Sequence, residues 1–448
     1  MLKVARAALL LVLAAFYLTA ATEHARVVNT FKARGDQSGY LGDAEQAYAN
    51  WHGQSPPMLI GERNRMPLYA GYLALAYDPH LSDPEFFEIG KIWSIRLSLG
   101  LVAVLAAIFF WYLPPLPATN LTLIVAFGFF IFKAGYTQSD LLFYFLFFCA
   151  FLALSRLFDK RALRSSLLLA MLAGTLAALA HLTKASGLPL VAIFLAAYGG
   201  REAIALMRTR EVGPFLRRIA AAALMTACFL AVLYPYISTS KRTFGRYFYN
   251  VNTTFYMWYD DWPQASIGTI KHGDGVGWPT MPEEQLPGMR KYWRDHTVGQ
   301  IADRLGGGVR DMVVRSYNTY SYLKYVVLYS VFALALIAAN RRAFVSLVVD
   351  RAGLFAFLLL YGVIYFVATA FYWPVSGTGT TRFLLAHVAP LLFVLSRFSM
   401  REPFRQTRWT IGGVQVTPGH VHLFVVVAMM FDLGFTVWPR LMTTYGGF

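Results

Sequence analysis

The chain has 448 residues, 57% hydrophobic and only 14% charged, with a mean hydropathy of +0.47 and a formal net charge of +16. Soluble domains carry about 25% charged residues, so the composition excludes a soluble globular protein and points to an all-α polytopic membrane protein. The positive charge is concentrated in short loops between apolar runs, so nucleic acid is not an expected partner and anionic membrane lipids are.

Apolar runs predict about eleven transmembrane helices, at roughly 7–21, 97–113, 118–133, 141–157, 166–182, 187–206, 219–236, 326–339, 353–372, 383–398 and 420–438. Each span satisfies its own backbone, and the shorter ones need tilt or bilayer thinning. The first 21 residues also carry signal-peptide features, with Lys3 and Arg6 before the apolar run and Thr19-Ala20-Ala21 after it. Ten further spans follow, so the run reads as an uncleaved first helix.

Two long loops separate the spans. The first, 22–96, holds Asp36-Gln37-Ser38-Gly39-Tyr40, an amphipathic helix from Asp43 to Trp51, Arg65-Met66-Pro67-Leu68-Tyr69, and an apolar stretch 68–77 too short to cross. The second, 237–325, is rich in Tyr, Trp and Gly and is interrupted by Pro263, Pro279, Pro282 and Pro287. Basic residues cluster in the alternate short loops: Asp159-Lys160-Arg161 with Arg164, Arg208/Arg210/Arg217/Arg218, Arg341-Arg342 and Arg401/Arg405/Arg408. The positive-inside rule makes those loops and the N-terminus cytoplasmic and both long loops external. The chain then divides into an N-terminal transmembrane module (1–236), an external aromatic-rich loop (237–325) and C-terminal helices (326–448). Cys149 and Cys228 lie in apolar runs without metal or disulfide spacing.

Three boundaries on the external face carry unexpected polarity. Tyr136-Thr137-Gln138-Ser139-Asp140 opens the fourth span, His181-Leu182-Thr183-Lys184 lies between the fifth and sixth, and Thr380-Thr381-Arg382 opens the tenth. Ionisable residues beside apolar segments are costly and functional by default. Each has a second reading: Asp36 as a solvated loop acid, Lys184 and Arg382 as snorkelling cations, Asp140 as a helix N-terminal acid. Their convergence on one face favours a site. In the second loop, Trp258, Asp260, Asp261 and Trp262 suit a sugar or acceptor platform, and their other reading is an interfacial aromatic belt with solvated acids. His272 and Asp274 nearby are potential partners of Asp260 or Asp261 around a divalent metal, without a fixed ligand spacing.

This order of segments resembles the GT-C superfamily of membrane glycosyltransferases, in particular its aminoarabinose and protein O-mannosyl transferases. Asp36-Gln37-Ser38-Gly39-Tyr40 is similar to their Asp-Glu-x-x-Tyr segment after the first helix, and Arg65-Met66-Pro67-Leu68-Tyr69 to their Pro-Pro-Leu stretch. Gln138-Ser139-Asp140-Leu141-Leu142 is similar to their second acidic segment, Leu182-Thr183-Lys184 to their Leu-Thr-Lys, and Arg382-Phe383-Leu384-Leu385 with Pro390 to a late Arg-Tyr-x-x-Pro helix. The match spans roughly residues 1–200 and the tenth span, with Gln37 in place of the usual second acid.

The resemblance implies a GT-C-like bundle in a bacterial inner membrane. Such an enzyme moves a sugar from a polyprenyl-phosphate donor to a lipid, glycan or protein acceptor at the periplasmic face, with inversion. It implies Asp36 as general base, Asp140 as the group that orients the base or the cations or holds a metal, and Lys184, Arg65 and Arg382 as the clamp on the donor phosphate. Tyr40 and Tyr69, with the Trp258–Trp262 group, are the expected acceptor or sugar contacts. Two other functions fit the composition: a lipid or polysaccharide transporter or flippase, which calls for charges near the midplane where this chain places them at the outer face, and a non-catalytic subunit of envelope glycan assembly.

Overall fold

The structure, a computed structural model, describes residues 2–54, 65–159, 162–272, 281–376 and 381–445. The side chains of the first ten residues, with Lys3 and Arg6, and of residues 269, 270 and 272 fall outside the description, as does Thr380.

The chain begins with a 26-residue helix, α1 (Leu2–Val27). Within the external loop 22–96 the sequence reading places one amphipathic helix, Asp43–Trp51; the structure starts that helix six residues earlier, as α2 (Gln37–Trp51), and adds α3 (Pro67–Ala74) and the start of α4 (Asp83–Tyr112). Tyr40, Leu41, Ala44 and Ala47 of α2 pack with Tyr69 and Leu73 of α3 and with Phe86 and Phe87 of α4. Buried aromatic area thus pins α2 and α3 to α4, which begins about four turns earlier than its hydropathy alone marks. Ser82 and Glu85 form a reciprocal capping box at that start, which polarity hides from a hydropathy window. Lys91 of α4, buried, donates to the Ala25 and Asn29 carbonyls at 3.2 Å each and so holds the end of α1.

α5 (Pro115–Val125) runs into a π-helical segment, Ala126–Phe130. The crossing helices α6 (Asp140–Leu157), α7 (Leu163–Thr183), α8 (Leu188–Thr209) and α9 (Val212–Phe244) follow. α10 (Val251–Thr254), α11 (Trp262–His272), α12 (Met289–Asp295) and α13 (Val298–Thr319) make up the second polar segment. α14 (Leu323–Ala339), α15 (Arg341–Asp350), α16 (Ala352–Ser376), α17 (Thr381–Ser399), α18 (Pro418–Asp432) and α19 (Trp438–Thr443) complete the chain. A short antiparallel pair, Trp409–Ile411 with Val414–Val416, precedes α18.

This is an all-α polytopic membrane protein. Among the described residues eight helices are long and apolar enough to cross a bilayer: α4, α6, α7, α8 with the turn before it, α9, α16, α17, and α18 continued through α19. Three of the expected spans are not among these eight. The first is α1, whose 26 residues cover the expected first span. The third, Pro115–Phe130, is short and almost wholly buried, walled by α4, α17 and α18, so protein rather than lipid sets its length. The eighth, α14, follows the amphipathic α13 at a 116° bend. α13 lies on α16 at Gly308, where a Cβ would meet the Ala370 carbonyl oxygen at 2.1 Å.

The basic loops share one end of the bundle. Arg351, between α15 and α16, pairs with Asp159 after α6 at 2.5 Å, and Asn340 donates to Thr407 at 2.8 Å. Buried Glu202 takes Arg201 and Arg218. The N-termini of α6 and α17 and the C-terminus of α7 lie at the opposite end.

Candidate functional site

At that opposite end, side chains from four distant stretches meet. Asp36 sits just before α2 and does not cap it through its side chain. It is ion-paired instead with Arg382, in the first turn of α17. Tyr144 of α6 donates to the Arg382 carbonyl at 2.6 Å, fixing that turn against α6. Asp140, the first residue of α6, is 1% exposed and lies between two lysines. Lys133 donates to its Oδ2 at 2.7 Å and Lys184 pairs with its Oδ1. Lys184 also faces the Phe383 ring at 5.0 Å, and the Arg382 guanidinium lies 5.5 Å from the same ring. Three cations thus surround two carboxylates, leaving the cluster with a surplus positive charge.

Local sequence explains each placement. Lys184 leaves α7 with an extended backbone (φ −151°, ψ 135°), and Gly187 allows the return into α8, because a Cβ there would meet the His181 nitrogen at 3.0 Å. Gln37, the first residue of α2 and next to Asp36, exchanges hydrogen bonds with the Asn29 amide at 2.8 Å each and accepts from the Thr137 backbone at 3.2 Å. It ties the Asp36 loop to the segment before α6, so its role is a neutral cross-brace. Tyr40 shares a hydrogen bond with Ser139 at 2.6 Å and stacks edge-on with Tyr69 at 5.4 Å. Tyr69 in turn meets Ser94 at 2.7 Å.

Charge sets the protonation states outside the spans. Burial opposes ionisation of the Asp36 carboxyl, but the Arg382 guanidinium, helped by Lys184, outweighs it and holds the group below the usual carboxylate range. Burial, then the Asp36 charge, raises the Tyr40 phenol well above its ordinary value, so it stays neutral.

Of the residues named from sequence, Asp36, Asp140, Lys184, Arg382 and Tyr40 come together here, with Tyr69 behind Tyr40. Arg65 stands at the flank. It forks onto Asp43 (2.7 and 3.4 Å), lies 6.0 Å from the Tyr40 ring and packs on Gly39, where a Cβ would fall 2.4 Å from its Cζ. The second segment makes local contacts instead. Asp260 pairs with His296 at 3.0 Å and lies 3.6 Å from Arg304. Asp261 accepts from the Gln264 backbone at 2.9 Å in the first turn of α11. Trp258 packs on Tyr292 and Phe371, and Trp262 is half exposed beside Tyr256. The side chain of His272, and Asp274, lie outside the described residues. Among the described residues no group of three or more His, Cys, Asp or Glu is set to hold a metal, and both Asp140 oxygens are taken by lysines.

One residue and one pairing escape the sequence reading. Lys133 ends an apolar run seven residues before Asp140, and its signal is an ionisable group at the edge of a buried segment. Asp43 is named from sequence as the start of the amphipathic helix, but its pairing with Arg65, 22 residues on, is not read there. Comparison with family models, with characterised proteins and with solved structures finds no match for this chain.

Proposed function

We propose that this chain is an inverting membrane glycosyltransferase that moves a sugar from a polyprenyl-phosphate donor to an acceptor at the external face of a bacterial inner membrane. The observation that carries the reading is the meeting of Asp36, Lys133, Asp140, Lys184 and Arg382, from positions scattered over most of the chain, at the end of the bundle away from the basic loops. The reading keeps eleven spans, with α1, the enclosed Pro115–Phe130 and α14 completing the eight, and makes the basic end cytoplasmic.

In this mechanism the surplus cationic charge receives the donor phosphate. Arg382 and Lys184 offer it charge-assisted donors, and an incoming phosphate competes with Asp36 for Arg382. Released from its partner, Asp36 becomes a stronger base. It takes the proton of the acceptor hydroxyl as that oxygen bonds to the anomeric carbon, and the lipid phosphate departs with the electrons of the broken C–O bond, stabilised by the same cations. Lys133 holds Asp140, and Asp140 holds Lys184. Tyr40 and Tyr69 wall the acceptor side.

Lys184 separates catalyst from bystander. In donor titrations with purified protein in nanodiscs, Lys184→Gln should weaken donor dependence and transfer by about tenfold to a hundredfold, the worth of a charge-assisted contact of about 1.5–3 kcal/mol. Lys184→Arg should restore part of it. A donor dependence unchanged in Lys184→Gln removes the phosphate from this cluster and favours a transporter or a non-catalytic assembly subunit.

A further inference from the structure

The basic end carries a cavity of its own, about 450 Å³ in volume, roofed by four arginines. Arg156 comes from the last turn of α6, Arg351 from the α15–α16 junction, Arg397 from the last turn of α17 and Arg401 from the turn after it. One carboxylate, Asp159, faces them. Arg351 binds it at 2.5 Å. The buried Arg156 Nε lies 3.2 Å from the other oxygen yet finds no hydrogen-bond acceptor. Arg156 and Arg397 both face the Tyr112 ring, at 5.3 and 6.0 Å.

Positive-inside arginines ordinarily spread into headgroup water. Here four converge on one space from separate elements, at a mutual cost in repulsion that one aspartate offsets only in part. The walls below them are apolar: Phe151 of α6, Leu354 and Leu358 of α16, Phe393 of α17. These residues run inward along crossing helices, toward bilayer depth. The volume is that of a ligand pocket. A charged rim over an apolar wall matches one molecule with an anionic head and a hydrocarbon tail, and a free anion would leave the wall unmatched.

We propose that this cavity is a binding site for an anionic phospholipid, its phosphate on Arg156 and Arg397 and an acyl chain against α16 and α17. Basic pockets between membrane helices take such headgroups. The site lies about 24 Å from Asp140, taking 1.5 Å per residue along α6, and is independent of the transferase reading. Loss of transfer in Asp36→Asn leaves it untouched.

The test is thermal melting of delipidated, purified protein titrated with phosphatidylglycerol, with phosphatidylcholine and with inorganic phosphate, alongside native mass spectrometry of retained lipid. Phosphatidylglycerol should stabilise the protein and phosphatidylcholine should not. Arg156→Gln with Arg397→Gln should weaken the apparent affinity at least about tenfold, whereas Arg208→Gln with Arg217→Gln, on the same end outside the cavity, should not. If the double variant fails to fold, the single Arg397→Gln, an exposed side chain, should still shift the titration. Equal stabilisation by both lipids, or equal losses in the two variant pairs, overturns the proposal. Full stabilisation by inorganic phosphate alone also overturns it, in favour of a soluble anion.

Discussion

Asp36 is a carboxylate held ready but restrained. Its pairing with Arg382 keeps it ionised, and the same pairing makes it a weak base until another anion claims the guanidinium. On the proposed transferase reading, Asp36→Asn should therefore lower transfer about 10²–10⁴-fold while the protein stays folded, measured as turnover against the melting profile. The pH dependence has a definite sign. The folded-state pKa is depressed, so the stability that ionised Asp36 contributes is present above the ordinary carboxylate range and is lost only as pH falls through the lower folded value. The difference in melting temperature between wild type and Asp36→Asn should thus persist from neutral pH down to about pH 4 and vanish below it. A difference that disappears between pH 7 and pH 5 would mean that Arg382 does not govern this group.

Among the elements, the long crossing helices were legible because lipid-facing length writes itself into hydropathy. The ones that proteins wall off were less so. Pro115–Phe130 is short because α4, α17 and α18 replace lipid around it, and α2 reaches back from the expected Asp43 to Gln37, and α3 forms, because Tyr40 and Tyr69 bury their rings on α4. Neither fact shows in a single segment's pattern. The same holds for Lys133, whose partner lies a turn and a half-loop away, while Asp36, Asp140, Lys184 and Arg382 were readable as polar exceptions at span ends. Helix packing here leans on small residues. At Gly174 of α7 a Cβ would meet the Met225 carbonyl oxygen of α9 at 2.2 Å. Gly174→Leu should cost about 1–3 kcal/mol and lower the melting midpoint. Gly199→Ala in α8, where a Cβ meets nothing within 4 Å, should be neutral or stabilising. Equal midpoints for the two variants would contradict this packing.

For the whole molecule, the account needs the two ends of the bundle on opposite sides of the membrane. In a chain with Cys149 and Cys228 replaced, an impermeant thiol reagent in intact cells should label a cysteine at Ile267, which is 62% exposed, and not one at Val212, 56% exposed. Ala265, on the same helix as Ile267, is fully buried and would report packing instead. The reverse pattern would put the Asp36 cluster in the cytoplasm.

The most direct test of the central claim is a structure of the protein in nanodiscs with a polyprenyl-phosphate sugar. The account predicts the phosphate within hydrogen-bond distance of Lys184 and Arg382, the Asp36–Arg382 pair opened, and the anomeric carbon turned toward Asp36. A donor seated elsewhere, with the Asp36–Arg382 and Asp140–Lys184 pairs intact, would contradict it.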